Sequence, residues 1–152
     1  MHSKEIQLFT QALQLAKDEF YIDSLNAFHF LIKDFPDSEL VDDSLFNIGL
    51  CYFNMNQFNK AIESFNIVIE SHPNATISIL DGGNEYGLTS AKCYLGIINC
   101  HLGMGNTDAA QSNFKLLENY SDSYIVRSNG EKESFYSIAK KAINIYTGIN
   151  PL

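Results

Sequence analysis

Apolar residues in this chain recur at three- and four-residue steps, and no alternating Val/Ile/Thr pattern of any length competes with them, so the rhythm predicts helices from end to end. It is clearest over residues 42 to 75. There Leu45, Ile48 and Tyr52 lie on one stripe of a first helix, and Ala61, Phe65 and Val68 on one stripe of a second. Gly49 interrupts the first stripe. Glycine inside a helix costs about 1 kcal/mol relative to alanine, which predicts a second helix passing too close for a side chain, with Ala61 as its matching small residue. Pro73 ends the pair, because proline lacks an amide donor and biases the residue before it away from helix. One such pair cannot bury its apolar stripes alone.

The ladder returns on both sides. Upstream, Ser24, Phe28, Leu31 and Pro36 keep the spacing of Ala61, Phe65, Val68 and Pro73, preceded by a helix from Lys4 to about Glu19 with Ile6, Phe9, Leu13 and Ala16 as its apolar positions. Ala12 stands where the glycine is expected. Downstream, Leu95, Gly96, Leu102 and Gly103 mark a third first-helix, with Ala109, Phe114, Leu116 and Leu117 on its partner. The turn between them, Gly103-Met104-Gly105-Asn106, reads as one residue longer than its counterpart in the second unit. A last helix over about 131–147 carries Phe135, Ile138, Ala139, Ala142, Ile143 and Tyr146, with Lys140 and Lys141 opposite and Gly148 as its stop, and suits a cap. The expected fold is all-α. It is one domain over 1–152, a right-handed stack with repeats at about 4–37, 42–75 and about 88–121 and a capping helix at about 131–147.

The spacing from proline to the next glycine is longer between the second and third units than between the first and second, by about ten residues. The excess, roughly residues 74 to 87, carries Ile77, Ile79, Leu80 and Tyr86. Two alternatives stay open for it, a loop on the binding face or a lip packed on its own apolar residues. Its Asp81-Gly82-Gly83-Asn84-Glu85 segment matches no calcium-loop spacing and is expected to be a flexible turn.

Composition removes several functions. The chain is 45% hydrophobic and 18% charged, ordinary for a globular domain, and contains no apolar run long enough to span a membrane. The start, Met1 to Glu5, lacks the apolar stretch of a secretory signal, which predicts a cytoplasmic chain, or a periplasmic one if a leader has been removed. A formal charge of −8 with a single arginine, Arg127, disfavours nucleic acid and anionic membranes and favours a basic or apolar polypeptide. Three cysteines, an odd number, argue against a disulfide framework. Cys51, Cys93 and Cys100 are expected to be small apolar packers, and Cys93, Cys100 and His101 do not have metal-site spacing. No catalytic motif is present, so no enzyme activity, cofactor or metal is expected.

The ladder of Leu45, Ile48-Gly49, Tyr52, Ala61, Phe65 and Pro73 resembles the tetratricopeptide repeat at nearly every position except its usual tryptophan. Within that superfamily, Phe35-Pro36-Asp37-Ser38 and Gly49-Leu50-Cys51-Tyr52 are similar in phrasing to bacterial envelope-associated members, the cell-division coordinator and the outer-membrane assembly lipoprotein. The resemblance implies a concave groove lined by first-helices, carried here by Phe9 and Leu13, by Phe46, Asn47, Leu50 and Phe53, and by Tyr94, Ile97 and His101. Members that grip a C-terminal carboxylate use Lys, Asn and Arg at such positions. Only Asn47 matches; Asp43, Ser90 and Tyr94 stand in place of the cations. The resemblance therefore implies a non-enzymatic adaptor or chaperone-like module that holds a peptide or helix in an apolar groove. A homo-oligomeric scaffold, or a regulatory subunit of a catalytic partner, is the alternative.

Overall fold

A computed structural model describes residues 3–148; Met1 and His2, on which the leader expectation partly rests, lie outside the described residues. Among the described residues seven α-helices follow one another: α1 (Lys4–Lys17), α2 (Tyr21–Asp34), α3 (Val41–Asn54), α4 (Phe58–Ser71), α5 (Thr89–Gly103), α6 (Thr107–Leu117) and α7 (Phe135–Thr147). Each helix packs on the next, and α3 and α5 also touch each other, as do α5 and α7. The result is a mostly helical stack of helix pairs, as the period predicts.

Side-chain caps fix several starts. The Ser3 hydroxyl accepts from the Ile6 amide, Asn106 Oδ1 from the Ala109 amide and the Ser134 hydroxyl from the Ser137 amide. The three turns inside the pairs share one geometry. Their middle residues, Glu19, Asn56 and Gly105, all have positive φ, at 66°, 60° and 75°. Two backbone bonds recur in each: Glu19 to Ala16 and Phe20 to Leu15, Asn56 to Phe53 and Gln57 to Tyr52, Gly105 to Leu102 and Asn106 to His101. The third turn is therefore no longer than the others. Nor does the register slip within α6, where Ala110 and Leu117 are buried, Ala109 is half-buried and Leu116 is exposed. Ala110, Phe114 and Leu117 follow the helical step, so Ala110 takes the place expected for Ala109.

Two cores result. Phe9, Phe28, Leu31, Ile48, Phe65 and Val68 anchor the one that joins α1 to α4 with the inward face of α5. Ala91, Ile98, Leu102, Leu117, Phe135 and Ile143 form the other, under α7. Phe65 links the units: a Cβ added at Gly49 would lie 2.7 Å from Phe65 Cδ1, and one at Gly96 would lie 2.6 Å from Phe65 Cζ. The group that crowds Gly49 is thus the Phe65 ring rather than Ala61. All three cysteines are free and buried, in keeping with a packing role.

The helical pattern omits a short antiparallel sheet of β1 (Glu85–Tyr86), β2 (Tyr124–Val126) and β3 (Lys132–Ser134), in the order β1-β2-β3. Glu85 pairs with Ile125, and Ile125 with Glu133. Residues 132–134, expected as the first turn of the last helix, are strand, and α7 begins at Phe135 behind the Ser134 cap. Arg127 and Lys141 both pair with Glu133, which ties the β2–β3 hairpin to α7 and holds that carboxyl well below its ordinary value. No helix among the described residues is long and apolar enough to cross a membrane.

Candidate protein-binding surface

The first halves of the two inner helices, α3 and α5, lie deep in the fold. Val41 to Gly49 are buried on every side, and so are Thr89 to Cys93. Part of that burial comes from the inserted segment, which folds back over both helices. Its ends are pinned by a bridge between Thr76 and Leu88 and by the Ile77 amide donating to the Gly87 carbonyl at 2.9 Å. Its tip joins the sheet, where the Asn84 amide group donates to the Val126 carbonyl at 3.0 Å.

Between insertion and helices lies a buried polar network centred on Lys92. The Lys92 ammonium, 3% exposed, donates to Asp81 at 3.0 Å and to Glu85 at 2.8 Å, and sits 4.1 Å over the Phe46 ring. Asn47 Nδ2 donates to the same Asp81 oxygen at 3.0 Å and to the Asp43 carbonyl at 2.9 Å. Asp43 Oδ1 accepts from the Ser78 amide at 3.0 Å, and Asp42 Oδ2 accepts from the Thr89 hydroxyl at 2.5 Å. Burial opposes the charge on Lys92, but Asp81 and Glu85 outweigh it and hold its pKa above the ordinary lysine value. Asp81-Gly82-Gly83-Asn84-Glu85 is thus anchored at both ends, a tighter arrangement than a flexible turn.

Asp43 gives this network a pH dependence. Burial, then the neighbouring Asp42, push its carboxyl up to about 7, and its Oδ2 has no hydrogen-bond partner. An acid whose folded pKa lies above its unfolded one binds its proton more tightly in the native state. The stability it contributes is full below the ordinary carboxylate range and is lost as pH rises through about 7. Asp42, also raised by burial, acts with the same sign. The urea midpoint of the native protein should fall between about pH 5 and pH 8, and that of Asp43→Asn should fall less. Equal falls in the two proteins would remove Asp43 from this role.

The residues that resemblance assigned to a groove separate into two groups. Phe9, Phe46, Asn47 and Ile97 are buried: Phe9 stands edge-on to Phe28 at 5.8 Å, Phe46 packs on Phe65 at 5.6 Å, and Asn47 serves the insertion. Leu13, Leu50, Phe53, Tyr94 and His101 are half-buried. Leu13, Leu50 and Phe53 edge the same core, and Phe53 meets Phe58 at 5.5 Å. Tyr94 turns to the other core, its ring 5.4 Å from that of Tyr120. Burial lowers the pKa of His101, whose Nδ1 has no partner. Lys92 was not singled out by sequence, and Asp81 and Glu85 were noted only as the acidic ends of a glycine-containing turn, the one signal that pointed to this network.

The helix pair α3–α4, with Gly49 against Phe65 and Pro73 just past its end, defines the unit against which the chain can be compared. Residues 43–75 match the tetratricopeptide repeat family model. Repeats of this family generally mediate protein–protein contacts and are generally non-catalytic, and the consecutive packing of the other helices fits such a stack. No curated protein matches the chain.

Proposed function

We propose that this chain is a non-enzymatic adaptor or chaperone-like module that holds a polypeptide segment of a partner against the uncovered half of its inner helices. The supporting observation is that Leu50 and Phe53 lie inside the matched repeat, beyond the part of α3 that the insertion covers, and keep partly exposed apolar surface at the edge of the core that Leu13 also borders. His101, at the corresponding end of α5, is half-buried with its unpartnered Nδ1 enclosed, and borders this surface through the rest of its ring. Phe9, Phe46, Asn47 and Ile97 then support this surface from behind instead of touching the ligand. An apolar strip edged by a few polar groups suits one face of a helix or an extended peptide. The phrasing of Phe35–Ser38 and Gly49–Tyr52 supports an envelope-associated assembly role.

Placing a photoreactive phenylalanine analogue at Phe53 tests the surface, with exposed Gln111 on α6 as the control site. The expected result is a defined adduct with one partner protein from position 53 and none from position 111. Phe53→Ser combined with Leu50→Ser should lower affinity for that partner by about tenfold or more at unchanged helicity. Adducts only with a second copy of the chain would favour the oligomeric scaffold, and no adduct at all would overturn the proposal.

A further inference from the structure

We propose that a second surface, the cleft between the start of α1, the α2–α3 turn and the insertion, takes a cationic segment of a partner protein anchored by an aliphatic side chain. This cleft lies apart from the uncovered half of the inner helices. Its volume is about 920 Å³, room for several peptide residues. Glu5, Asp37 and Glu39 line it with solvent-accessible carboxylates, the buried Asp42 lies behind them, and His72 is the one basic side chain in the lining among the described residues, with no lysine or arginine. Three accessible carboxylates around one concavity, in a chain of net charge −8, set up a negative potential that attracts and orients a basic segment.

Charge alone would describe a solvated rim, but the walls are also apolar. Ile6 and Leu40 line one side, and Ile79 and Leu80 of the insertion the other. Ile79 is 68% exposed, an aliphatic side chain held at the mouth with nothing covering it. It is held there by its neighbours: the Ser78 amide bonds Asp43, and Asp81 is fixed to Lys92 and Asn47. The anchored insertion thus builds one wall of the cleft. Apolar walls under an acidic rim match a segment in which lysines or arginines flank a leucine-like side chain.

The probe is a fluorescein-labelled decapeptide of lysine, arginine and leucine, followed by anisotropy at low salt. Binding to the native protein is expected. It should weaken by about tenfold or more with Glu5→Gln, Asp37→Asn and Glu39→Gln combined, and several-fold with Ile79→Ser. A control triple at exposed acids outside the cleft, Glu63→Gln, Glu70→Gln and Glu118→Gln, changes net charge equally and should leave affinity within about twofold. All substituted positions are at the surface, and circular dichroism confirms that the helices persist. No binding to the native protein would overturn the proposal. So would equal losses in the two triples, or undiminished binding of a peptide whose leucines are replaced by glycine.

Discussion

Replacing Lys92 with methionine should release the insertion from the helices and cost the protein about 3 kcal/mol or more. Methionine keeps the volume and the contact with Phe46, so the effect isolates the charge. Without the ammonium, Asp81 and Glu85 face each other and Asp43 across a site from which water is largely excluded, and removing one partner of a buried ion pair is far more damaging than replacing the whole pair. Urea denaturation should show the loss of stability. Amide exchange should show that Ile77, Ser78 and Asp81, whose amides are bonded in the native insertion, lose protection first. Adding Asp81→Asn to Lys92→Met should recover part of the loss, since the amide keeps the shape and removes one stranded charge. A native-like urea midpoint with the insertion still protected would show that the network is not what holds the segment down.

The second large effect concerns Phe65. Its ring is fully buried between Gly49 of α3 and Gly96 of α5, so a single side chain joins the second unit to the third. Phe65→Ala should cost about 3–5 kcal/mol through lost burial and the cavity left behind. The more diagnostic variant is Gly96→Ala. In an open helix that change stabilises by up to about 1 kcal/mol. Here the new methyl would meet the ring at 2.6 Å, and Cys93, Ile97 and Cys100, buried in the same core, leave the ring little room to retreat. A net loss is expected. Combining Gly96→Ala with Phe65→Leu should cost less than the sum of the single changes, because the shorter side chain makes room for the methyl. If Gly96→Ala stabilised the protein, the close approach would not be governing the choice of glycine.

Which parts of this could be read from residues alone follows from the range of the forces involved. Leu45, Ile48, Tyr52, Ala61, Phe65 and Val68 declare their helices because each stripe is set by local period and is long enough to be unambiguous. The strands are not declared. Glu85–Tyr86, Tyr124–Val126 and Lys132–Ser134 are too short for a two-residue period to register, and they exist because partners distant in the chain pair with them. Lys92 was invisible for a similar reason. A lone lysine in a helix normally points to water, and only Asp81 and Glu85, delivered by the insertion, make its burial tolerable. The same insertion explains the fate of the groove residues. Asp43, Phe46 and Asn47 occupy positions that line an open face in the resembled family, but here that face is partly closed by the chain itself. Leu50 and Phe53, one and two turns further on, remain partly open to solvent.

The shared turns at Glu19, Asn56 and Gly105 show where this architecture tolerates sequence drift. Each helix pair is closed by the same two backbone bonds around one left-handed residue, so the bend is written in main-chain atoms and owes little to side-chain identity. Glutamate at position 19 sits in that conformation at a cost of about 1–2 kcal/mol that glycine at position 105 does not carry. Within the same unit, Phe9 and Phe28 pack edge to face between the two helices. A hairpin whose angle is fixed by its main chain can be duplicated and then diverge in its outer residues without losing its shape, and three such copies with three different middle residues stand side by side in this chain.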